Sequence, residues 1–142
     1  MKKLAVVYWS GTGNTEQMAN AVLEGAKESG AEAELFTAGE FTEDMVEGFD
    51  AFAFGCPAMG AEELEDSEFQ PMFDAVLPKL SGKKFALFGS YGWGDGEWMR
   101  TWEENCVSAG QNPAVESVMC NEAPDDDGVN TCKALGAELT KE

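Results

Sequence analysis

The first loop of the chain carries polar side chains at a density typical of an anion site. Residues 10–15 read SGTGNT and follow the apolar run at residues 3–9. Glycine lets the backbone approach a ligand closely and adopt positive φ, and successive backbone N–H groups at a helix start attract negative charge. Further donors come from Ser10, Thr12, Asn14 and Thr15, without any Lys or Arg. A plain strand-to-helix turn capped by threonine is the alternative, but such a turn does not need so many donors.

Three common phosphate motifs do not match this loop. A Walker A loop ends in Gly-Lys-Ser/Thr, and no Lys is present here. The dinucleotide fingerprint requires Gly or Ala where Glu16 stands, and an acid where residues 36–38 read FTA. A phosphate-accepting receiver domain needs acids where residues 8–10 read YWS. The remaining interpretation is a neutral cradle for one terminal phosphate.

Short apolar runs alternate with helical patterns along the whole chain, and these elements must position the loop. The runs that predict strands are residues 3–9, 33–38, 51–55, 84–90 and 114–120. Apolar stripes at helical spacing fall within residues 18–26, 42–49, 69–77, 98–106 and 129–139. This alternation predicts an α/β fold, in which one doubly wound, five-stranded parallel sheet carries helices on both faces. We expect residues 1–142 to form a single domain.

The composition excludes several classes of partner. The chain has 27 acidic and 9 basic residues, a net charge of -18 and no histidine. Nucleic acid and anionic membranes need a positive surface, so we expect neither as a partner, whereas basic protein surfaces are suitable. The absence of histidine removes the commonest general base and the commonest metal ligand. This weighs against hydrolytic chemistry without excluding carboxylate chemistry, and we name no catalytic residue and no metal site.

The cysteines and the N-terminal residues both favour a cytoplasmic protein. The spacing of the four cysteines fits neither a CxxC redox motif nor a zinc site, so we expect reduced thiols in or near the core at Cys56, Cys106, Cys120 and Cys132. The apolar run after Lys2 and Lys3 is interrupted at residues 10–13, which makes it too short for a signal peptide or a membrane span.

Three loops together resemble the cofactor loops of the flavodoxin family in its short-chain form. They read SGTGNT at residues 10–15, CPAMGAEELEDSEF at residues 56–69 and FGSYGWGDGEWM at residues 88–99. The resemblance covers essentially the whole chain. It implies the strand order 2-1-3-4-5, noncovalently bound FMN, and low-potential one-electron transfer between redox enzymes rather than an enzymatic activity. Flavodoxin with FMN is itself an example of the rule that ligands of such folds bind where the strand order reverses.

The resemblance also implies which residues bind the cofactor. The phosphate loop comprises Ser10, Gly11, Thr12, Gly13, Asn14 and Thr15. The second loop comprises Pro57, Ala58, Met59, Gly60, Ala61 and Glu62. The third loop comprises Ser90, Tyr91, Gly92, Trp93 and Gly94, and Asn121 reaches the same neighbourhood. In this resemblance Met59 and Trp93 flank the two faces of the isoalloxazine ring, and Glu62 accepts a hydrogen bond from the pyrimidine N–H.

Gly60 and Ala61 predict a turn that responds to the redox state. Flavin N5 changes from acceptor to donor when the ring takes up one electron and one proton, so a peptide carbonyl that turns toward N5 stabilises the semiquinone. A type II′ turn needs φ > 0 at its first central position, which glycine tolerates. Many flavodoxins carry Asp or Gly where this chain has Ala61, which alters the balance of turn conformers.

Negative charge near the predicted loops indicates both a low reduction potential of the bound FMN and a docking surface for partner proteins. A phosphate held by neutral donors keeps its charge, and that charge raises the energy of an anionic hydroquinone. The acids near the predicted loops are Glu62, Glu63, Glu65, Asp66, Glu68, Asp95, Glu97, Asp125, Asp126 and Asp127. We expect them to steer basic-surfaced redox enzymes, of the ferredoxin-type oxidoreductase and reductase kind, toward a monomeric carrier.

Other functions of the same sequence stay open at this point. They are an FMN-dependent quinone or NAD(P)H reductase, a dedicated flavoprotein activator of a metalloenzyme, and a phosphate-binding module without flavin. A reductase usually orients its second substrate with a basic or histidine side chain, and this chain has one Arg and no His. A module without flavin leaves Met59 and Trp93 unexplained.

Overall fold

Five parallel strands form one sheet in the computed structural model, which describes residues 2–11, 13–59, 63–92 and 96–141. The strands are β1 (Lys3–Tyr8), β2 (Glu32–Thr37), β3 (Ala51–Gly55), β4 (Lys84–Tyr91) and β5 (Val118–Asn121). Their order is β2-β1-β3-β4-β5, and all neighbouring pairs are parallel. The predicted doubly wound sheet and its strand order are confirmed.

Four α-helices and two short 3-10 helices in the described residues cover the sheet. The α-helices are α1 (Asn14–Glu28), α2 (Phe69–Val76), α3 (Glu97–Ser108) and α4 (Asp126–Leu139). The 3-10 helices are Glu43–Gly48 and Leu77–Lys79. None of the helices in the described part of the chain is long and apolar enough to cross a bilayer.

The side chains of the central strand β1 are buried on both sides of the sheet. Leu4, Val6 and Tyr8 face the core under α1 and α4. Ala5 and Val7 face a second core under α2, α3 and the 3-10 helix Glu43–Gly48. Two cores on one sheet explain why β1 is a continuous apolar run rather than an alternating one.

The two cores are built from side chains of different size. On the α2 and α3 side the strands contribute large rings, which include Phe52, Phe54 and Phe85. On the α1 and α4 side, β3 and the first half of β4 contribute small side chains, which are Ala51, Ala53 and Ala86. Small side chains let α1 and α4 lie close to the sheet and to one another. A Cβ on Gly136 would lie 2.1 Å from the Val22 carbonyl oxygen, so this contact requires glycine.

Two elements differ from the sequence-based expectation. Strand β5 includes only residues 118–120 of the run predicted at 114–120 and extends to Asn121, because residues 114–117 lie outside the ladder. A bond from the Ala114 N–H to the Phe85 carbonyl, 2.8 Å long, keeps this segment beside β4. The predicted helix at residues 42–49 is a 3-10 helix.

Candidate functional site

A cavity opens where the strand order reverses, beyond the carboxyl ends of β1, β3 and β4. Its volume is about 500 Å³, within the roughly 300–1,000 Å³ of most small-molecule sites. In the sheet, β2 lies on one side of β1, whereas β3 and β4 lie on the other side, so the strand order reverses at β1. The cavity is lined by Trp9, Gly11, Asn14, Pro57, Ala58, Met59, Ser90, Tyr91, Gly92, Glu122 and Ala123.

The first loop leads into helix α1. No side chain among the described residues caps the start of this helix. Gly13 occupies the N-cap position of α1 with φ of 97°, in the left-handed region that favours glycine. The Gly13 N–H donates to Ser10 Oγ over 3.0 Å. Since the first-turn N–H groups of a helix have no partner within the helix, the uncapped start of α1 favours an anion in front of it. Thr12 lies outside the described residues.

Two hydroxyls join the first loop to the end of β4. Thr15 Oγ1 and Ser90 Oγ lie 2.9 Å apart, and both side chains are buried. The Ser90 N–H also points at Thr15 Oγ1 over 3.4 Å. Within such a pair one hydroxyl donates and the other keeps its proton for a further acceptor. Both predicted residues are therefore brought together at the base of the cavity.

The second loop contributes apolar wall to the cavity. Pro57, Ala58 and Met59 line it, and the Ala58 N–H donates to the Ser90 carbonyl over 3.0 Å. The Met59 N–H donates to the Glu63 carbonyl over 3.0 Å. Gly60, Ala61 and Glu62 lie outside the described residues, so the predicted turn stays a prediction.

Glu65 is buried behind this loop instead of lying on the docking surface that its sequence neighbours predict. Its side-chain Oε1 accepts from the Glu68 and Phe69 N–H groups, each over 2.8 Å. Oε2 accepts from the Ser67 N–H over 2.9 Å and from the Ser67 hydroxyl. Burial opposes ionisation of this carboxyl, but the four hydrogen bonds outweigh burial and lower its pKa to about 2. The Glu65 carboxylate thus caps the start of α2 and fixes the end of the loop.

The end of β4 and the end of β5 form the opposite wall. The Tyr91 carbonyl accepts from the Glu122 N–H over 2.7 Å and from Asn121 Nδ2 over 3.3 Å. Asn121 is thereby held next to the cavity, although it is not among the residues that line it. The Tyr91 ring packs on Trp98, with centroids 5.6 Å apart. Trp93 and Gly94 lie outside the described residues.

Three residues that line the cavity were missed by the sequence analysis. The apolar run at residues 3–9 predicts a strand that includes Trp9, but β1 ends at Tyr8 and the Trp9 indole turns into the cavity wall. Its Nε1 donates to Glu68 Oε1 over 3.3 Å. The sequence did not indicate that Glu122 and the adjacent Ala123 line the cavity. Glu122 has a φ of 57°, which glutamate rarely adopts, so the chain direction at this point could not be predicted.

Among the other clefts of the described residues, two of about 530 Å³ each suit a ligand with an aromatic ring and a phosphate less well. One lies among residues 29–31 and 137–141, where α1 and α4 end. Its lining includes Lys2 and Lys141 but no aromatic side chain to hold a planar ring. The other lies between β5 and α4, beside Glu116 and Glu138. Of these three clefts in the described residues, only the cavity at the strand-order reversal combines a helix N-terminus with aromatic walls.

The fold and the cavity define a class of protein: a doubly wound α/β protein that binds a phosphate-bearing ligand at its switch point. Comparison with known proteins narrows this class. The family model for flavodoxin matches residues 6–136. The chain is 46% identical to the flavodoxin of Megasphaera elsdenii over 96% of this chain and 97% of that one. It is 42% identical to the flavodoxin of Clostridium beijerinckii, with 96% and 98% covered.

A solved structure gives the same result in three dimensions. The two-electron reduced flavodoxin of Megasphaera elsdenii superposes with a TM-score of 0.89 at 45% identity, and covers 98% of this chain and 99% of that chain. The chain belongs to the flavodoxin family. Flavodoxins are electron-transfer proteins that bind FMN, so the predicted cofactor and the predicted carrier function are confirmed, and the reductase alternative is set aside.

The residues of the cavity fit FMN. A planar aromatic ring with a phosphate tail needs apolar walls at one end and an anion site at the other. Trp9, Met59 and Tyr91 supply the walls, while Gly11 and Asn14, the first residue of α1, line the end suited to an anion. Among the described residues that line this cavity, none carries a positive charge. The neutral phosphate cradle itself stays a prediction.

Proposed function

We propose that this protein carries single electrons at low potential through FMN held noncovalently in the cavity beyond β1, β3 and β4. Bound FMN supplies the one-electron chemistry, and the protein's residues hold the group and set the charge around it. The start of α1, where the N-cap residue is a glycine without a side chain, lies at one end of a cavity with aromatic walls and carries this proposal. We treat residues 1–142 as one flavodoxin-like domain, because both cores share the same sheet.

The first loop holds the phosphate. Ser10 Oγ accepts from the Gly13 N–H, which leaves the Ser10 proton to donate outward. The proton that the Thr15–Ser90 pair does not use is a second donor. We assign Thr12 and Asn14 to the same role by their places in the loop. Gly11 packs against the Trp9 ring, since a Cβ there would lie 3.2 Å from it, so Gly11 joins the phosphate loop to the aromatic wall.

The second and third loops hold the ring. We assign Met59 and Trp93 to its two faces and Glu62 to its pyrimidine edge, as the family resemblance implies. Two backbone bonds support this assignment: Ala58 to Ser90 ties the two loops together, and Met59 to Glu63 fixes both ends of the segment with Gly60 and Ala61. That segment is our candidate for the turn that responds to the redox state.

Charge around the cavity determines whether the second reduction potential of bound FMN is raised or lowered. The phosphate end offers neutral donors, and the rim carries the exposed carboxylates of Glu63, Glu68 and Glu122. Negative charge added to the ring meets these fixed charges in a partly desolvated site. Reduction to an anionic form is therefore less favourable than for FMN in water, which lowers the second reduction potential.

The same carboxylates form our candidate docking surface for basic redox enzymes of the ferredoxin-type oxidoreductase and reductase kind. Seven of the nine basic residues lie at the opposite edge, near strand starts or helix C-termini: Lys2, Lys3, Lys27, Lys79, Lys83, Lys84 and Lys141. The molecule is thus negative at the cavity and less so at the far edge. This asymmetry orients a basic partner toward the cavity during encounter.

We further infer a cytoplasmic monomer. All four cysteines are free thiols, as is usual in reducing compartments. The edge strand β2 carries Glu32 and Glu34, and charged edge residues discourage strand pairing between copies. The net charge of -18 adds repulsion between copies.

Titration of the apoprotein with FMN and with riboflavin tests the proposed site. We expect FMN to bind more tightly by at least about a hundredfold, because two charge-assisted hydrogen bonds of about 1.5 kcal/mol each correspond to that factor. Ser10→Ala should weaken FMN binding and leave riboflavin binding unchanged, whereas Ser29→Ala, at the other end of α1, should change neither. Equal affinity for the two flavins would contradict the assignment of the phosphate loop.

A further inference from the structure

Two of the four cysteines lie in the same core on neighbouring elements. Cys120 lies on β5 and Cys132 on α4, and each thiol affects the pKa of the other, as expected for close neighbours. Cys120 is 9% exposed and Cys132 is fully buried, in the core under α1 and α4. Cys56 and Cys106 belong to the core on the other side of the sheet. Among these four cysteines, all within the described residues, one pair is therefore placed to react within the molecule.

A glycine on α4 permits this contact. A Cβ on Gly128 would lie 2.9 Å from Cys120 Sγ, so the sulfur occupies space that any other residue would need. Gly128 and Cys132 are four residues apart on the same helix, and Cβ positions at this spacing lie about 5–6 Å apart on one face. Cys120 Sγ thus reaches the face of α4 from which Cys132 projects. A disulfide requires this kind of approach between two Cβ atoms.

We propose that Cys120 and Cys132 form an intramolecular disulfide when the protein meets a peroxide or a low-molecular-weight disulfide. With hydrogen peroxide, the Cys120 sulfur attacks one oxygen, the O–O bond breaks, and a sulfenic acid and water result. The Cys132 sulfur then attacks the Cys120 sulfur, the S–O bond breaks, and a second water leaves. Overall two thiols lose two electrons and two protons, and the peroxide is reduced to two waters.

The starting state is a pair of protonated thiols. Burial raises the pKa of Cys132 to about 12, and it also raises the pKa of Cys120, where the charge of Asp125 adds to the effect. Since the thiolate is the reacting form, the step is slow at neutral pH. We therefore expect the disulfide to form during prolonged exposure to an oxidant and not during a brief one.

The disulfide would close a loop that includes part of the cavity wall. Glu122 and Ala123 line the cavity and lie between the two cysteines, as does the start of α4 at Asp126. Oxidation would tie this wall to the body of α4. A resulting change in FMN release rests on the proposed function, whereas formation of the disulfide does not.

Treatment of the purified protein with hydrogen peroxide, followed by peptide mapping without reductant, tests the proposal. We expect a monomer lighter by two hydrogens, with one linked peptide pair that contains Cys120 and Cys132. The number of titratable thiols in the denatured protein should fall from four to two. Thiol reductant should restore all four. Unreacted thiols, a persistent oxidation product on Cys120 alone, or disulfide-linked dimers would overturn the proposal.

Variants separate the pair from the other thiols. Cys120→Val and Cys132→Ala keep the site apolar and should each abolish the linked peptide pair. Cys106→Ser alters a buried thiol in the other core and should leave the pair intact. A linked product that survives in Cys132→Ala would contradict the assignment. In the holoprotein, slower FMN release after oxidation supports the link to the cavity, and an unchanged rate overturns that link while the mapped disulfide stands.

Discussion

At the scale of single residues, the site depends on side chains whose neighbours fix them in place. Trp9 is held by a bond to Glu68 Oε1 and by contact with Gly11. Glu65 is held by four hydrogen bonds to the residues that follow it. The sequence pattern does not assign either side chain to the site, and both can be tested by substitution.

Two substitutions of Trp9 distinguish the contribution of its aromatic ring to FMN binding from that of its indole N–H. Trp9→Ala removes an aromatic wall and should weaken FMN binding by about tenfold, since an aromatic contact contributes about 0.5–1.5 kcal/mol beyond area burial. Trp9→Phe keeps a ring and loses only the bond to Glu68, so its affinity should stay within about threefold of the parent. Fluorescence titration with FMN measures both. Equal losses in the two variants would contradict a role for the ring.

Glu65→Gln should destabilise the folded protein by about 2–3 kcal/mol at neutral pH. An amide NH₂ group would face backbone N–H groups that now donate to a carboxylate oxygen, which leaves buried donors unpaired. Urea denaturation measures the loss. Asp66→Asn, at the exposed neighbour, is the matched control and should change stability by less than about 0.5 kcal/mol.

The difference in stability between the parent and Glu65→Gln should depend on pH in a defined direction. The pKa of Glu65 is lowered from 4.5 to about 2 in the folded state. Its contribution to stability is therefore complete above pH 4.5 and is lost as the pH falls toward 2. The stability difference between the parent and Glu65→Gln should narrow over this range. A difference that stays constant down to the lower pH would show that the carboxylate charge does not stabilise the fold.

At the scale of elements, close packing of α1 against α4 supports the helix start that faces the cavity. Gly25 and Gly136 lie at this contact, where a Cβ would meet backbone of the opposite helix at 2.1 Å in both cases. Lys133 on α4 also pairs with Glu24 and Glu28 on α1, over 3.1 Å and 3.6 Å. Exposed ion pairs of this kind contribute little to stability, so the glycine contact stabilises the helix pair more than the charges do.

Gly136→Ala should destabilise the protein by about 1–3 kcal/mol or more, because the added methyl group meets the Val22 carbonyl and the helices must separate. Thermal unfolding of the apoprotein measures this loss. Gly48→Ala is a suitable control, since a Cβ there meets nothing within 4 Å and its φ is not positive. Equal stability of Gly136→Ala and the parent would mean that α1 and α4 are not in close contact.

The parallel sheet could be predicted from periodicity and the phosphate loop from its composition, whereas the strand order and the other cavity residues were implied by the family resemblance. The polar loop at residues 10–15 marks the switch point by its composition alone. The end of β1 before Trp9 could not be predicted, because an apolar run does not show where the ladder ends. The burial of Glu65 depends on donors that later residues bring to it. Glu122 carries a positive φ that its residue type disfavours.

At the scale of the whole molecule, charge is distributed unevenly between the two edges of the sheet. The exposed acids near the cavity include Glu63, Asp66, Glu68, Glu97, Glu122, Asp125, Asp126 and Asp127. Most basic residues lie at the other edge, near strand starts and helix C-termini. Long-range steering by such a field raises association rates and weakens as salt is added, because the Debye length is about 8 Å at physiological ionic strength.

Charge reversal at the cavity edge should slow electron transfer to a basic partner. The combined substitution Glu63→Lys and Asp66→Lys should lower the second-order rate with a basic c-type cytochrome, as measured by stopped flow, and should weaken the salt dependence of that rate. The control Glu43→Lys and Glu47→Lys makes the same change in net charge on the 3-10 helix Glu43–Gly48. Equal effects of the two double variants would show that net charge, and not the cavity edge, governs association.

A spectroelectrochemical titration of the FMN-loaded protein is the sharpest test of a low-potential, one-electron carrier. We expect two separate one-electron steps, the second at a lower potential than the second step of free FMN. The physical reason is that the neutral phosphate cradle and the acidic rim disfavour added negative charge. A single two-electron step at the potential of free FMN would contradict the proposed function.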